Sequence, residues 1–574
     1  MKGIGVSPGL AIGKAFIIEE QVFDFPEGLC KDTAYDLIKY QNAVQQSVKE
    51  IEALKQKALI SLGEENARIF DAHIEIAKDP QMIKEIEQSI NKGMYAMTAV
   101  QEVTDKYIAM FGALEDQYFR ERSADIEDVQ KRLYRNIMGL KEINLEILPE
   151  NTIIVSKDLT PSETTLMDKN NVVGLLTEVG GETSHTAIIA RNLGIPAVMG
   201  ISGATNDIED NTMLFMDGSK GTIEMPHEDA FGHLQEQIKA QQEIKAQLDR
   251  LKFEEAITRD GHKVDVFCNI GNPEEATAAV NGGAEGVGLF RTEFLYMQGD
   301  HFPTEEEQYQ AYKASLENMD GRPIIFRTLD VGGDKEIPYF DLPSEMNPFL
   351  GWRAIRIFFD RKDLFMTQIR ALMRASQHGE VWIMMPMISS IDEIIKAKSV
   401  FVEAKDQLLA EGVAVEDNLK VGIMVEIPSV AVIADKVAEH VDFMSIGTND
   451  LTQYTLACDR INEKVKDYYD TFQPGVLHLI NNVIKAGDNE TIVGMCGELA
   501  GNPLATLLLL GMGLNEFSMS PSSVPKIKKI VRSVTYEYAK AVADKVLAMH
   551  QSKEIQAYLI AELEALDLGY LLEV

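Results

Sequence analysis

From Lys263 onward the chain repeats one theme: a short apolar run ending on a polar or charged residue, then a stretch of helical spacing. The runs are Val264 to Asn269, Gly286 to Arg291, Pro323 to Arg327, Val381 to Pro386, Val421 to Glu426, Phe443 to Asp450, Ile492 to Cys496 and Glu516 to Ser520. Near-continuous apolar runs between helical patterns predict buried parallel strands, and this many strand–helix units in succession predict a (β/α)₈ barrel. In that fold chemistry sits at the C-terminal ends of the strands, so the residues closing each run are the candidates for a site.

The N-terminal part reads differently. Ile4 to Ile18 alternate glycine with apolar residues, as short strands and turns do. From about Asp32 the apolar period becomes three and four, with Val44, Val48, Ile51, Leu54 and Ala58 on one face, and the same patterning recurs from Ile69 to Ile76 and from Val100 to Leu140. This predicts several amphipathic helices inserted between strands. Val172 to Leu176 then reads as a buried strand and Gly180 to Arg191 as a glycine turn entering a helix. His185 falls at the helix start, where unpaired N–H groups and the helix dipole favour an anion; a plain capping role is the alternative reading. His227 to Leu251, rich in Gln, Glu, Lys and Ala, predicts an exposed linker helix.

The expected architecture is therefore an α/β multidomain chain. It comprises an α/β domain from residues 1–25 and 146–225, a helical-bundle insertion at 26–145, a linker helix within 226–258 and a C-terminal barrel at 259–574. A length of 574 residues exceeds what one core holds and fits this division.

Composition adds little beyond exclusions. Cys30, Cys268, Cys458 and Cys496 are scattered with no CxxC pair, which predicts free thiols and a cytoplasmic setting. The N-terminus lacks the apolar core of a signal peptide, and no run reaches membrane-spanning length without a charge, so no membrane partner is expected. A formal net charge of −35 argues against nucleic acid and suits either a basic protein partner or simple solubility.

The strand ends hold Arg291, Arg327, Glu426, Asn449, Asp450 and Cys496, with Asp330, Asp334, Lys335, Arg353 and Arg460 on nearby loops or helices. Glu426 and Asp450 suit Mg²⁺, which takes a few carboxylates and completes its octahedron with water and substrate oxygens. The arginines suit bidentate clamping of a small molecule rich in carboxylate and phosphate. Taken one at a time, each arginine also reads as a rim salt bridge.

Several segments together resemble a known family. They are Leu159-Thr160-Pro161-Ser162-Glu163, the Gly180 to His185 stretch, Gly288 to Phe294, Arg327 to Lys335, Asn347 to Arg353, Ser445 to Tyr454 and Gly494 to Ala500. In order and extent they are similar to Enzyme I of the bacterial sugar phosphotransferase system. The resemblance implies that phosphoenolpyruvate phosphorylates His185, which passes the phosphoryl group to the phosphocarrier protein HPr as pyruvate leaves. It further implies Mg²⁺ on Glu426 and Asp450. Arg291, Arg327, Arg353, Arg460, Asn449 and Lys335 would hold substrate, Cys496 would protonate the enolate, and Thr160 would hydrogen-bond the imidazole. The α/β domain would be a phosphohistidine domain, residues 26–145 the HPr-docking element and the barrel a homodimerisation surface. Pyruvate phosphate dikinase and phosphoenolpyruvate synthase share such parts but add a nucleotide-binding domain, and no GxxxxGK[ST] loop occurs here. A non-catalytic phosphorelay sensor is the third reading. Glu182, Ile461 and Tyr469 to Phe472 depart from the family pattern.

Overall fold

The computed structural model describes residues 1–572 other than 19–22, 27, 63–66, 68, 113–116, 141–144, 146–147, 161–162, 165–166, 168–169, 182–183, 298, 300, 334–336, 338, 341, 344, 417–418, 463 and 488–490. Within helices, the side chains at 60–62, 112, 117–121, 124, 185, 192 and 228 also lie outside the description. The chain divides into two compact units, 1–242 and 243–573.

In the first unit, strands β1 (Ile4–Ser7), β2 (Leu10–Ile18), β3 (Thr152–Ser156), β4 (Val172–Thr177), β5 (Ala197–Met199), β6 (Met213–Asp217) and β7 (Thr222–Glu224) form one sheet in the order β1-β5-β4-β3-β2-β6-β7. The central strands β2 to β5 pair in parallel, and β1, β6 and β7 pair antiparallel at the flanks. Ile153, Ile154 and Val155 on β3 and Leu175 and Leu176 on β4 are buried on both faces, which explains runs without alternation.

Between β2 and β3 stand the helices Thr33–Leu62, Ile69–Ala77, Pro80–Asn91, Ala96–Gly112 and Gln117–Met138. The three-and-four spacing lands where expected: Val48, Ile51, Leu54 and Ala58 are buried in a core of their own, with Val44 packed against it. Asp79 shows how a helix is started here. Its carboxylate accepts from the Met82 N–H at 2.6 Å, and Pro80 supplies the fixed φ of the first turn.

The polar pattern at 227–251 becomes the helix Phe231–Leu251, with Leu248 its buried residue. Beyond it, β8 (Asp265–Ile270), β9 (Val287–Arg291), β10 (Ile324–Arg327), β11 (Val381–Met385), β12 (Lys420–Val425), β13 (Phe443–Ile446), β14 (Ile492–Met495) and β15 (Glu516–Met519) close into a barrel, all in parallel. Every apolar run read from the sequence is one of these strands. Outward residues such as Val266, Ile383, Ile423 and Ile446 meet the surrounding helices in one large core. Leu289, Ile325, Trp382, Met384, Met424, Phe443 and Cys496 form a separate interior cluster. The barrel is thus a packed core with its strand ends left to carry function.

All four cysteines are free thiols. No helix among the described residues is long and apolar enough to cross a membrane.

Candidate active site at the barrel mouth and the His185 turn

At the C-terminal end of the barrel, buried charges are tied into one network. Arg327, the last residue of β10, gives Nη2 to Glu293 Oε1 at 2.5 Å and Nη1 to Asp330 Oδ2 at 3.1 Å. Arg353 grips the same Asp330 through Nη2 at 2.9 and 3.1 Å and through Nε at 3.3 Å. It also donates to the Tyr454 hydroxyl at 3.2 Å and lies 3.8 Å from Asp450 Oδ2. Burial alone would push both guanidiniums down, but the surrounding carboxylates hold them above their ordinary values, so both stay charged. The spacing of three in Arg327-Thr328-Leu329-Asp330 is a sequence signal that could have paired Arg327 with Asp330. Glu293 and Tyr454 lay within the family-like segments without an assigned role.

Arg291, closing β9, is different. Its residue is exposed, and among the described residues it has no hydrogen-bond or ion-pair partner. A cation at a barrel mouth whose nearby carboxylates, Glu293 and Glu275, make no ion pair with it is free to take an external anion. Arg460 Nη1 stands 3.4 Å from Asp450 Oδ1. Asn449 exchanges side-chain and backbone contacts with Glu498, at 3.3 and 3.4 Å, a partner that sequence reading missed.

Glu426, just after β12, is 1% exposed and accepts the Met387 N–H on Oε1 at 2.6 Å. Its Oε2 has no hydrogen-bond partner, and neither has Asp450 Oδ1 despite its nearness to Arg460. Burial first, then the charges of Asp450 and Asp330, push the Glu426 carboxyl far above the usual range, against Arg353 and Arg327. Two buried carboxylates with an unsatisfied oxygen each are a donor set that suits a hard cation. The described residues include no group of three or more His, Cys, Asp or Glu side chains arranged around a metal, so such a cation would draw further ligands from water and substrate.

Cys496 follows β14 and is 4% exposed. Burial drives its thiol up to about 12, so it holds its proton as an acid must. Asn269 Nδ2 anchors its carbonyl at 2.9 Å. Arg327, Glu426 and Cys496 therefore share one end of the barrel, together with Arg291, Arg353, Asn449, Asp450 and Arg460. Lys335 and Asp334 lie outside the described residues.

In the first unit, the helix His185–Leu193 follows a turn in which Gly180 takes φ 106°. Ser184, not His185, is the N-cap, accepting from the Ala187 N–H at 3.3 Å, so the capping alternative for the histidine falls away. The His185 side chain, Glu182 and Thr183 lie outside the described residues. Thr186 donates to the Leu159 carbonyl at 3.1 Å, which brings Leu159 against the start of this helix. Thr160 Oγ1 accepts from the Glu163 N–H at 3.2 Å while Glu163 Oε2 accepts from the Thr160 N–H at 2.9 Å, a reciprocal cap. The second lone pair of Thr160 Oγ1 is left for another donor.

Comparisons with known proteins agree on one assignment. Family models match the PEP-utilising enzyme PEP-binding domain at residues 245–536, the N-terminal domain at 2–122 and the mobile domain at 148–221. The phosphoenolpyruvate-protein phosphotransferases of Listeria monocytogenes and Bacillus subtilis are 44% and 42% identical to the chain, each over 97% of it and 98% of their own length. That of Enterococcus faecalis is 45% identical over 95% of this chain and 96% of its own. The solution structure of an Enzyme I protein, nEIt, is 36% identical over 42% of this chain and 99% of its own, with a TM-score of 0.38. Relatives of this identity along nearly the whole chain, with all three domain models in order, show that the chain is an enzyme and belongs to the phosphoenolpyruvate-protein phosphotransferase family of PEP-utilising enzymes.

Proposed function

We propose that this enzyme moves the phosphoryl group of phosphoenolpyruvate to its own His185 and then to the phosphocarrier protein HPr, releasing pyruvate. The observation that carries the reading is the barrel mouth itself. There the unpaired Arg291 stands beside the buried Arg327 and Arg353, and two carboxylates each keep an unsatisfied oxygen.

Substrate phosphate and carboxylate would be taken by Arg291, Arg327, Arg353 and Arg460, with Lys335 and Asn449 completing the grip. Arg327 and Arg353 are held rigid by Glu293 and Asp330, so little ordering cost remains when substrate arrives. Glu426 and Asp450 would hold Mg²⁺, which when bound supplies positive charge where the enolate develops. His185 attacks as a neutral imidazole, and the second lone pair of Thr160 Oγ1, left over by its cap with Glu163, would accept one ring N–H and so leave the lone pair of the other ring nitrogen free to react. Cys496 then gives its proton to the enolate methylene: an S–H bond breaks, a C–H bond forms and pyruvate results.

The domain reading goes with this: 1–25 and 146–225 would carry the phosphohistidine, 26–145 would dock HPr, 226–258 would link, and 259–574 would bind phosphoenolpyruvate and a second copy of the chain. A cytoplasmic location suits these partners and the free thiols. The test is incubation with phosphoenolpyruvate, Mg²⁺ and HPr, followed by measurement of acid-labile phosphate on each protein and of pyruvate. Pyruvate without phosphoprotein would overturn the reading.

A further inference from the structure

Beneath the mouth, the barrel interior holds an acid with no assigned role. Glu516, the first residue of β15, is 3% exposed, and its Oε1 has no hydrogen-bond partner. Its carboxyl fits because two facing positions are bare backbone. A Cβ at Gly494 on β14 would stand 1.9 Å from Oε2, and one at Gly288 on β9 would stand 2.5 Å from Oε1. Any larger residue at Gly494 would displace the acid.

Gly494 pairs across β14 with Glu516 on one side and with Ser445 of β13 on the other. The Glu516 carboxyl lies over Gly494, and Gly494 puts no side chain between it and Ser445. Cys496 is two residues past Gly494, just beyond the end of β14 and facing the barrel interior, about 7 Å on. The Ser445 hydroxyl lies close enough to the Cys496 thiol to favour the thiolate, yet it has no fixed hydrogen-bond partner of its own. A hydroxyl free to rotate both accepts and donates, as a proton bridge requires. Ser518 donates to Asn269 Oδ1 at 2.6 Å, and Asn269 holds the Cys496 carbonyl, so the frame around the three groups is fixed.

We propose that Glu516, acting through the Ser445 hydroxyl, returns a proton to Cys496 after the thiol has given its own to the enolate. The inference rests on Cys496 as the acid of the proposed reaction. In the recharging step the Glu516 O–H bond breaks, the proton passes over Ser445 Oγ, and an S–H bond re-forms at Cys496, leaving a carboxylate. Asp265, the register partner of Glu516 on β8 and exposed at the opposite end of the barrel, passes a solvent proton to that carboxylate. The sum is one solvent proton delivered to the pyruvate methyl, with no change of oxidation state.

Two further features support the direction of flow. Burial keeps Glu516 protonated, Asp265 adding to the effect, so the acid waits in its donating form. The charged groups that act on the Cys496 thiol are Glu516 and Glu426, which oppose the thiolate, and Arg327 and Arg291, which favour it; a neutral Glu516 therefore makes deprotonation easier, and transfer then quenches the thiolate. From the mouth, water would reach the thiol only past bound substrate. Glu516 acts through Cys496 and touches no reacting atom, so it is a positioning residue for the proton.

The test compares the first turnover with later ones. With HPr in excess and pyruvate followed by rapid quench, Glu516→Gln should release a burst near one pyruvate per site and then slow, its ratio of steady-state to first-turnover rate falling by about tenfold or more. Glu516→Asp, still an acid, should recover most of that ratio, and Ser445→Ala should lose it. The solvent isotope effect on the steady-state rate should rise in Glu516→Gln and Ser445→Ala. A ratio within about twofold of the parent in Glu516→Gln, or equal losses in Glu516→Gln and Glu516→Asp, overturns the relay. Should Glu516→Gln not fold, Ser445→Ala and Glu516→Asp decide by the same ratio. Cys496→Ala separates the two levels: if enolate protonation is as fast in Cys496→Ala as in the parent, the acid assignment has failed. If it slows there while the ratio holds in Glu516→Gln, only the relay has failed.

Discussion

The Met387 amide, on a residue held at φ 59°, donates to Glu426 Oε1 at 2.6 Å and leaves Oε2 of the same carboxylate without a partner. A non-glycine residue in the left-handed region costs energy, and here the cost secures the orientation of one buried acid. The open oxygen belongs to the carboxylate that shares the barrel end with Asp450, and that asymmetry is what a hard cation would use.

Glu426 should make the cation-free protein lose stability as pH rises. An acid whose folded pKa lies above its unfolded value contributes stability that is complete below the unfolded value and disappears through the folded one. Glu426 is pushed up to about 8 by burial and by Asp450 and Asp330. Between roughly pH 4.3 and that value, the parent should lose on the order of a few kcal/mol relative to Glu426→Gln. Mg²⁺ added at pH 8 should raise the Tm of the parent and not that of the variant. Thermal unfolding across pH 5 to 8.5, with and without the cation, reads both effects. Parallel pH slopes for the two proteins would remove Glu426 as the titrating group.

Asp330→Asn tests how the arginine clamp is held. The carboxylate joins Arg327 at 3.1 Å and Arg353 at 2.9 Å, all three nearly buried. Removing its charge leaves two desolvated cations short of compensation, a loss of about 3–5 kcal/mol for a buried pair broken from one side. Chemical denaturation should show that loss, and saturating phosphoenolpyruvate should restore part of it by supplying anionic oxygens. A variant as stable as the parent would show that Glu293 alone neutralises the clamp.

Much of this was legible because local pattern and tertiary use coincide. The barrel runs are apolar on both faces, since each strand meets side chains inside and helices outside, and every run became a strand. Arg291, Arg327, Glu426 and Cys496 were placed at the barrel mouth by one rule, that candidates for function follow the strand end. The partners were harder. Glu498 reaches Asn449 from a different strand end, and Met387 reaches Glu426 through its backbone, a contact that no side-chain identity signals. Glu516 was hidden because it opens a strand instead of closing one, and its niche depends on Gly494 and Gly288, distant in sequence.

His185→Ala should abolish acid-labile phosphate on the enzyme and on HPr while phosphoenolpyruvate still binds. The proposed nucleophile belongs to the unit at 1–242, and the arginines and carboxylates belong to the unit at 243–573. Binding followed by calorimetry should keep its affinity within a few-fold, because the variant removes no group of the clamp. Acid-labile phosphate persisting on the variant would move the nucleophile elsewhere.

Thr160 has two separable duties, and a pair of variants distinguishes them. Its Oγ1 forms a cap by accepting the Glu163 N–H, and Glu163 returns the bond to the Thr160 N–H. The cap uses one lone pair of the hydroxyl oxygen, whereas the proposed contact with His185 uses the other to accept a ring N–H. Glu163→Ala removes half of the cap and should cost about 1 kcal/mol. It also removes a half-buried carboxyl whose pKa is raised by burial, so part of that cost is offset as pH rises past the ordinary carboxylate range. Thr160→Val keeps the shape but removes both lone pairs, and should lower phosphoryl transfer to HPr by about tenfold or more at a similar loss of stability. Thr160→Ser, which keeps both, should transfer at close to the parental rate. The measurement is the rate of acid-labile phosphate transfer beside the thermal midpoint for all three variants. If Glu163→Ala slows transfer as much as Thr160→Val at the same loss of stability, the threonine acts as a cap alone and the tautomer of His185 is set by another group.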